Sequence, residues 1–563
     1  MRRRTVSAIV AVALAAGTWL HAAAPAPVAD AAMRRDVAAV RALLKDGSDV
    51  NAAQGDGMTA LHWAATHGDA ELTAVLLVAG ANVRATSRLG RYTPLHVASQ
   101  NGAAAVVKAL LERGAEPSTP TSTGATALML AAQAGEVEAA VALLDAGADP
   151  NAVESAHGQS ALMFAAAFDR ADVVRTLVAR GAKADATSKV VDLAALTDPG
   201  EGDGRPPEPP GSQRAAAPRR PAAPAGVAGA TRPFRYNELI GTQGGLSALH
   251  FAARQGAAAA ARALVEAGAD VNLASPGDRT TPLLIAALNG HFDLAAYFLE
   301  RGADPNLASS GGAAPLYAVL NVQWAPKAAY PQPRAYLQQQ TSYLTLMTRL
   351  LDAGADPNAR LGRKVWYSGY NFDQSGVDEV GATPFWRAAY ASDVAAMRLL
   401  VARGADPAIP SVRPAERTRG LDGVGELRDV SALPPIPVGG PGVPPLLAAA
   451  GVGYGKGFAG NSHVTAPGGM MAAVRYLVEE LGADVNALDY EGNSAVHHAA
   501  SRGDTEMIRY LVSKGASVTG VNRAGQTTID LANGPVQRVQ PFPETIAFLA
   551  SLGAKNNHKC VSC

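Results

Sequence analysis

The chain has 563 residues with 49 basic and 49 acidic side chains, 48% hydrophobic residues and two cysteines. A formal net charge of zero argues against a nucleic-acid partner, because binding to phosphates needs a basic face. Two cysteines are too few for a disulfide-stapled scaffold. Apolar residues recur with helical spacing over most of the chain, so its many glycines and prolines do not indicate disorder throughout.

Residues 1–23 have the pattern of a Sec-type signal peptide. Three arginines at positions 2–4 precede an apolar run over 6–20. That run is shorter than the ~20 residues that a membrane-spanning helix needs. Cleavage is expected near Ala22 or Ala23, and an uncleaved N-terminal anchor is the alternative. The composition favours a bacterial protein that is periplasmic or secreted, with no integral membrane segment after removal of the signal.

A Gly-Ala-Asp-x-Asn-like turn recurs about every 33 residues along most of the chain. Its first glycine falls at Gly47, Gly80, Gly114, Gly147, Gly181, Gly268, Gly302, Gly354, Gly404, Gly482, Gly515 and Gly553. A fixed period of this length is the signature of stacked structural repeats, so the twelve turns predict about twelve units.

Each unit is predicted to hold two helices. A threonine such as Thr93 can cap the first helix, and the proline that follows it fits the first helical turn because its missing N–H needs no partner. The second helix of an early unit places Leu72, Val75 and Leu76 on one apolar stripe. Gly80 then ends that helix in a left-handed conformation. One unit cannot cover its own apolar face, so neighbouring units must stack.

These features resemble the ankyrin-repeat family. The windows 281–306 and 247–272 match its pattern most fully, and the similarity extends over most of residues 33–555. The resemblance implies an all-α ankyrin-repeat solenoid of about twelve helix-turn-helix units, with finger loops and a concave binding face. It also implies a protein-interaction scaffold that is not an enzyme and that needs no cofactor.

The family's motif histidine occurs at His62, His96, His250 and His497, one at the start of a first helix in each of four units. This regular spacing favours a structural role over metal binding. Seven other units have a different residue there: Met129, Met163, Leu284, Tyr317, Trp386, Leu447 and Asp530. Those units are expected to lose a side-chain hydrogen bond that ties the fingers together.

Long insertions interrupt the repeats. A Pro/Ala/Gly-rich segment at 189–243 is expected to be flexible, because such a composition cannot bury a core. The predicted order is a repeat block at 33–188, that insertion, repeats at 244–411 with aromatic-rich insertions near 321–342 and 363–380, a loop at 412–442, repeats at 443–555 and a tail at 556–563.

Twelve of the chain's 30 aromatic side chains fall within residues 317–390. Aromatic residues concentrate in binding hot spots, so those in the insertions are candidate partner contacts. The alternative is that the rings attach the insertions to the repeat stack. The candidates are Trp324, Tyr330, Tyr336, Trp366, Tyr367, Tyr370 and Phe372. From the family's finger positions, Arg91, Tyr92 and Arg279 are added.

The C-terminus carries His558, Cys560 and Cys563. A disulfide between the two cysteines is the simplest interpretation for an exported protein. The alternatives are an intermolecular disulfide and a metal site in which a partner adds a fourth ligand to these three side chains. The metal site would suit a redox or metal-handling accessory protein. An enzyme would need catalytic groups in the loops 363–380 or 451–469, where no recognised catalytic motif occurs. The predicted function is therefore binding of a partner protein, whose identity the sequence does not give.

Overall fold

The structure is a computed structural model. It describes residues 25–193, 195, 241–325, 334–363, 377–415, 429–453, 464–534 and 540–560. Within these residues the chain forms twelve consecutive pairs of α-helices, so the predicted all-α solenoid of about twelve units is confirmed.

The odd-numbered helices are the first of each pair and the even-numbered helices the second. They are α1 Pro27–Met33, α2 Val37–Lys45, α3 Ala60–His67, α4 Ala70–Val78, α5 Pro94–Gln100, α6 Ala104–Glu112, α7 Ala127–Ala134, α8 Val137–Asp145, α9 Ala161–Ala167, α10 Ala171–Ala179, α11 Ala248–Gln255, α12 Ala258–Glu266, α13 Pro282–Leu288, α14 Phe292–Glu300, α15 Pro315–Gln323, α16 Tyr343–Asp352, α17 Pro384–Tyr390, α18 Val394–Val401, α19 Pro445–Ala449, α20 Gly469–Arg475, α21 Ala495–Ala500, α22 Thr505–Ser513, α23 Thr528–Ala532 and α24 Pro543–Ser551.

The described chain divides into two compact parts, each made of several repeats. We call them the first unit and the second unit, and a single helix pair is called a repeat. The first unit comprises the described residues up to Ala186 together with Ala259–Gly268, and the second comprises Thr187–Ala258 together with the described residues from Ala269 onward. Within each unit the first helices of consecutive repeats pack on one another. Paired alanines such as Ala64 and Ala65 are fully buried between them, because a methyl group lets two helix backbones approach closely.

Helix α1 starts the stack earlier than the predicted boundary at residue 33. Its side chains Val28, Ala29, Ala31 and Ala32 are buried, and the helix packs against α3. The sequence pattern missed this helix because α1 has no threonine cap and no motif histidine.

The twelve turn glycines that define the repeat all have positive φ, between 70° for Gly482 and 93° for Gly515. No atom lies within 4 Å of the point where a Cβ would stand at any of them. Glycine is therefore required at these turns for its left-handed backbone and not for lack of space.

Asparagines that follow six of these twelve turns connect one repeat to the next. Asn306 donates through Nδ2 to the Gly354 carbonyl at 2.9 Å, and its Oδ1 accepts from the Asp356 backbone N–H at 2.8 Å. The same two bonds are made by Asn51, Asn151, Asn272, Asn358 and Asn486. Because Asn306 spans 48 residues and Asn272 spans only 30, the inserted residues leave the stacking of the turns unchanged.

The insertions leave the stack at two kinds of position. In sequence, those at 189–243, 363–380 and 412–442 fall between one helix pair and the next. The short antiparallel strands β1 Val190–Asp192 and β2 Thr242–Gly244 pair at the base of the first of these. The insertion near 321–342 instead separates the two helices of one pair, α15 and α16. It carries a 3₁₀ turn, Ala335–Gln338, and a π-helical turn, Tyr476–Glu480, follows α20.

Candidate protein-interaction surface

The motif histidines hold the fingers in place. The Thr59 backbone N–H lies 3.2 Å from His62 Nδ1, and His62 Nε2 lies 3.0 Å from the Tyr92 carbonyl oxygen in the next finger. Since Nδ1 accepts a backbone hydrogen, the ring proton sits on Nε2 and is donated to that carbonyl. Burial lowers the pKa of the His62 imidazole, which keeps it in the neutral form that can do both. The predicted structural role is confirmed.

Three of the repeats without histidine keep a side-chain hydrogen bond at this position. The prediction that they lose it is therefore wrong for these three. Trp386 Nε1 donates to the Val443 carbonyl at 2.8 Å, and the Tyr317 hydroxyl donates to Glu379 Oε2 at 2.9 Å. Asp530 reverses the polarity: its Oδ1 accepts the backbone N–H groups of Asn557 and Lys559, both at 3.2 Å. An indole, a phenol and a carboxylate therefore each replace the imidazole. Their hydrogen-bond partners are a backbone carbonyl, a carboxylate and two backbone N–H groups, respectively.

Neighbouring fingers are also joined through their backbones. In the first unit, the N–H groups of Arg88, Ser122 and Ser155 donate to carbonyls of the preceding finger at 2.8 to 3.0 Å. The same kind of bond recurs in the second unit, for example from Arg523 to Glu491 at 2.9 Å. Each unit thus presents its fingers as a hydrogen-bonded row, which is preorganised for contact with another molecule.

The predicted finger contacts lie on this row. Arg91 and Arg279 are both exposed and both have positive φ, at 55° and 62°, so they occupy the same kind of turn position in their fingers. Tyr92 is half-buried, and its ring lies edge-on to the His96 ring, with 6.0 Å between centroids. Because its carbonyl also accepts from His62, Tyr92 has a structural role beside any contact with a partner.

Two of the candidate aromatic residues in the insertions are attached to the stack. Trp324 directly follows α15 and donates through Nε1 to Asp393 Oδ2 at 2.8 Å. Tyr336 stacks on Phe292 of α14, with ring centroids 6.2 Å apart. The other predicted contacts lie outside the described residues: Tyr330, Trp366, Tyr367, Tyr370 and Phe372. Their role in binding stays a prediction.

A set of apolar residues that sequence reasoning overlooked lies on the first helices of the first unit, one position after the motif histidine. Trp63, Val97 and Phe164 are half-exposed there, and Leu130 is buried but aligned with them. Phe168, which directly follows α9, is 47% exposed. We call these five residues the first-unit stripe. The periodic signal was present for the first four, because each of those follows the histidine or its methionine replacement.

The equivalent position is buried throughout the second unit. It holds Phe251, Ile285, Ala318, Arg387, Ala448, His498 and Leu531, each no more than 8% exposed. Polar contacts account for some of this burial: His498 Nε2 lies 3.0 Å from Asp489 Oδ2, and Arg387 donates to Asn321 and to the Trp324 carbonyl, both at 3.0 Å. The first helices thus present an open apolar row in the first unit alone, as far as the described residues extend.

The C-terminal tail packs on the last finger. Asn557 Nδ2 donates to the Gly525 carbonyl and Gln526 Nε2 to the Lys559 carbonyl, at 3.2 and 2.9 Å. Cys560 is disulfide-bonded, while Cys563 lies outside the described residues, so the pairing predicted from sequence stays a prediction. His558 is exposed, and the described residues contain no group of side chains arranged to hold a metal ion.

The enzyme alternative has no described site. The loops 363–380 and 451–469, where catalytic groups would be needed, lie mostly outside the described residues. Within the part of the chain that the structure covers, no helix is long and apolar enough to cross a membrane.

Stacked helix pairs joined by hydrogen-bonded fingers define a class of all-α repeat proteins that commonly bind other proteins. Family models described as ankyrin repeats match residues 28–121, 118–188 and 233–309, and further copies match 463–512 and 496–540. Together these matches cover more than half of the chain. The chain belongs to the ankyrin-repeat family.

Curated relatives match over short segments. Zygote-specific protein 3 of Chlamydomonas reinhardtii is 43% identical over 89 residues, which are 16% of this chain and 24% of that protein. Palmitoyltransferase AKR1 of Lachancea kluyveri is 39% identical over 82 residues, 15% of this chain and 11% of that protein. Protein phosphatase 1 regulatory subunit 12A of Rattus norvegicus is 33% identical over 95 residues, 17% and 8% of the two chains. Each match therefore covers less than a quarter of the relative.

Proposed function

We propose that this protein is a non-catalytic scaffold that binds a partner protein through the first-unit stripe and the fingers beside it. The observation that carries the proposal is the contrast in burial at one repeat position. Trp63, Val97 and Phe164 are half-exposed in the first unit, whereas every equivalent side chain of the second unit is buried. Buried Leu130 interrupts this row, but partly exposed apolar side chains that recur on one face mark an interaction surface more often than scattered ones do.

The fingers add further partly exposed side chains to the proposed surface. The residue before the helix cap is partly exposed in four successive fingers of the first unit: Met58, Tyr92, Ala125 and Gln159. Each of them precedes a first helix that carries a stripe residue, and Arg91 lies next to Tyr92 at an exposed turn. An apolar row beside fingers of mixed polarity suits a helix or an extended segment that presents apolar side chains on one face.

Rigidity favours such binding. The finger-to-finger backbone bonds and the buried histidines fix the surface before a partner arrives, so less conformational entropy is lost on association. One partial relative is by name a regulatory subunit of a protein phosphatase, a role that fits a protein without its own catalytic centre.

The site of action in this proposal is outside the cytoplasm, either in the periplasm or after secretion. Support comes from the charged and apolar pattern of residues 1–23 alone. N-terminal sequencing of the protein recovered from the exported fraction tests it. A first residue close to position 23 supports export with cleavage, and an intact Met1 in the cytoplasm contradicts it.

Two single substitutions test the surface itself. Val97→Asp places a charge in the stripe, and Val78→Asp makes the same change at the end of α4, where Val78 is 77% exposed. Tagged protein is used to capture partners from the exported fraction after equal melting of both variants has been confirmed. We expect Val97→Asp to weaken capture by at least about tenfold and Val78→Asp to leave it unchanged. Equal capture by both variants would refute the assignment of the stripe.

A further inference from the structure

A groove of about 440 Å³ lies within the second unit, where α18 meets α20 and the end of α15. This volume falls in the range of about 300–1,000 Å³ that is usual for small-molecule sites. Aromatic rings, one buried carboxylate and one buried hydroxyl line it beside two exposed ion pairs. The residues used below are Trp324, Tyr343, Ser392, Asp393, Arg398 and Tyr476.

Asp393 is 2% exposed, and its hydrogen-bond donors are neutral groups. Its Oδ2 accepts from Trp324 Nε1 at 2.8 Å and from the Tyr343 hydroxyl at 2.9 Å, and its Oδ1 accepts from the Ala396 backbone N–H at 3.0 Å. Burial and the negative charge of Asp393 raise the pKa of the Tyr343 hydroxyl well above its ordinary value. A buried carboxylate is stabilised further by a cation, and none of these partners is one.

The other charged groups along the groove are largely paired among themselves. Arg398 forms a two-bond ion pair with Glu480, and its guanidinium lies 4.4 Å from the Tyr476 ring centroid. Glu479 pairs with Lys514 at 3.1 Å, and Arg475 lies over the Tyr510 ring. With Lys514 counted, three carboxylates and three cations surround the groove, so these charges sum to zero. Asp393 is the carboxylate among them whose hydrogen-bond partners are all neutral.

Ser392 is the second unusual group. It is 1% exposed, its backbone has a φ of 58°, and its hydroxyl has no hydrogen-bond partner among the described residues. A serine held in the left-handed region with a buried, unbonded hydroxyl is costly, since both features are normally avoided. The hydroxyl oxygen has almost no accessible surface, so it lies beneath the wall of the groove and is not open to a ligand.

From these contacts we infer that the groove binds an organic ammonium cation. The cation lies against the Trp324 and Tyr343 rings and is attracted by the Asp393 carboxylate, to which both of these side chains donate. Aromatic faces beside a carboxylate are the arrangement that recognises such cations. The same chemistry is offered by a lysine side chain of another protein and by a free quaternary amine, so the test separates these two sources. The site is independent of the first-unit stripe.

Calorimetric titration of the full chain compares two ammonium probes with their neutral isosteres. Nα-acetyl-lysine methylamide is paired with its norleucine analogue, and choline is paired with dimethylbutanol. At least one ammonium probe is expected to bind about tenfold more tightly than its isostere. Preference for the lysine derivative identifies a protein side chain, and preference for choline identifies a small molecule. Equal or undetectable binding of all four probes overturns the inference.

Two variants locate the binding. Trp324→Leu removes the ring and is expected to weaken the ammonium probe by at least about fivefold. Asp352→Asn serves as the control, because it removes one exposed acidic group of the second unit that pairs with Arg403 outside the groove. A loss of affinity in Asp352→Asn as large as the loss in Trp324→Leu would contradict binding in the groove. Circular dichroism of each variant is compared with that of the parent protein, whose binding to the probes is measured alongside. This comparison distinguishes a folding defect from a loss of affinity.

Discussion

Trp386 of α17 donates its indole N–H to the Val443 carbonyl at 2.8 Å. This hydrogen bond replaces the one that His62 makes to the Tyr92 carbonyl in the first unit. Trp386 is fully buried, so the carbonyl has no access to water if the indole is removed. Trp386→Phe keeps an aromatic ring but loses this donor. We expect a loss of about 2 kcal/mol in the free energy of unfolding, from the unsatisfied carbonyl and the smaller ring.

Trp63→Phe is the matched comparison for this change. Its Nε1 also donates a hydrogen bond, to Gln54 Oε1 at 2.8 Å, but Trp63 is half-exposed and water can replace the lost donor. Urea denaturation of both variants should show a smaller effect at Trp63, below about 1 kcal/mol. Equal losses of unfolding free energy in the two variants would contradict the view that the buried hydrogen bond of Trp386 to Val443 stabilises its finger.

Protonation of His497 is expected to destabilise the C-terminal repeats. Burial, reinforced by the neighbouring His498 and opposed by Asp489, lowers the pKa of His497 from 6.5 to about 4. Between these values the unfolded chain binds a proton that the folded chain does not, so stability is full above pH 6.5 and falls as the pH is lowered toward 4. Urea midpoints measured across this range should drop less in His497→Gln than in the parent. A parallel decline in the two proteins would show that other groups cause the acid sensitivity.

The Arg387 guanidinium lies 3.9 Å from Glu379 Oε1, and both side chains are buried. Arg387→Met leaves Glu379 without its neighbouring cation, and Asn321 Oδ1 and the Trp324 carbonyl without their donor, which should cost about 3–5 kcal/mol. Adding Glu379→Gln removes the stranded charge while keeping an acceptor for the Tyr317 hydroxyl, so the double variant should recover part of the loss. A double-mutant cycle by chemical denaturation measures this. Strictly additive effects would mean that the two groups do not interact.

Asn272 and Asn306 make the same pair of turn-to-turn bonds across 30 and 48 residues. If insertions loop out without loosening the stack, Asn272→Ala and Asn306→Ala should each cost about 1–2 kcal/mol and agree within about 0.5 kcal/mol. Thermal or urea unfolding of the two variants decides this. A much smaller cost at Asn306 would indicate that the insertion between α15 and α16 uncouples the repeats on either side.

The repeated architecture follows from local sequence. Gly80 and the other turn glycines mark the end of each second helix because the left-handed turn needs glycine, and Thr93 with Pro94 marks the start of a first helix. These signals act within a few residues, so one sequence is enough to count the units. Helix α1 lacks such signals, and only its packing against α3 reveals it.

The surface was less predictable because it depends on contacts between distant residues. Trp324 looks like a loop residue in sequence, yet it bonds Asp393, 69 residues further along the chain. The exposure of Val97 and the burial of Arg387 at the same repeat position are set by neighbours, not by the motif itself. Likewise, no local pattern indicates that an indole will take over the hydrogen bond of a histidine.

The binding surface can be located directly by photo-crosslinking. A benzophenone amino acid is placed at Val97 in the stripe or at Val78 on the end of α4, and the exported fraction is irradiated with each protein. The account predicts a protein adduct of one defined mass from position 97 and none from position 78. An adduct from position 78 alone would contradict the claim that the first-unit stripe is where this ankyrin-repeat protein holds its partner.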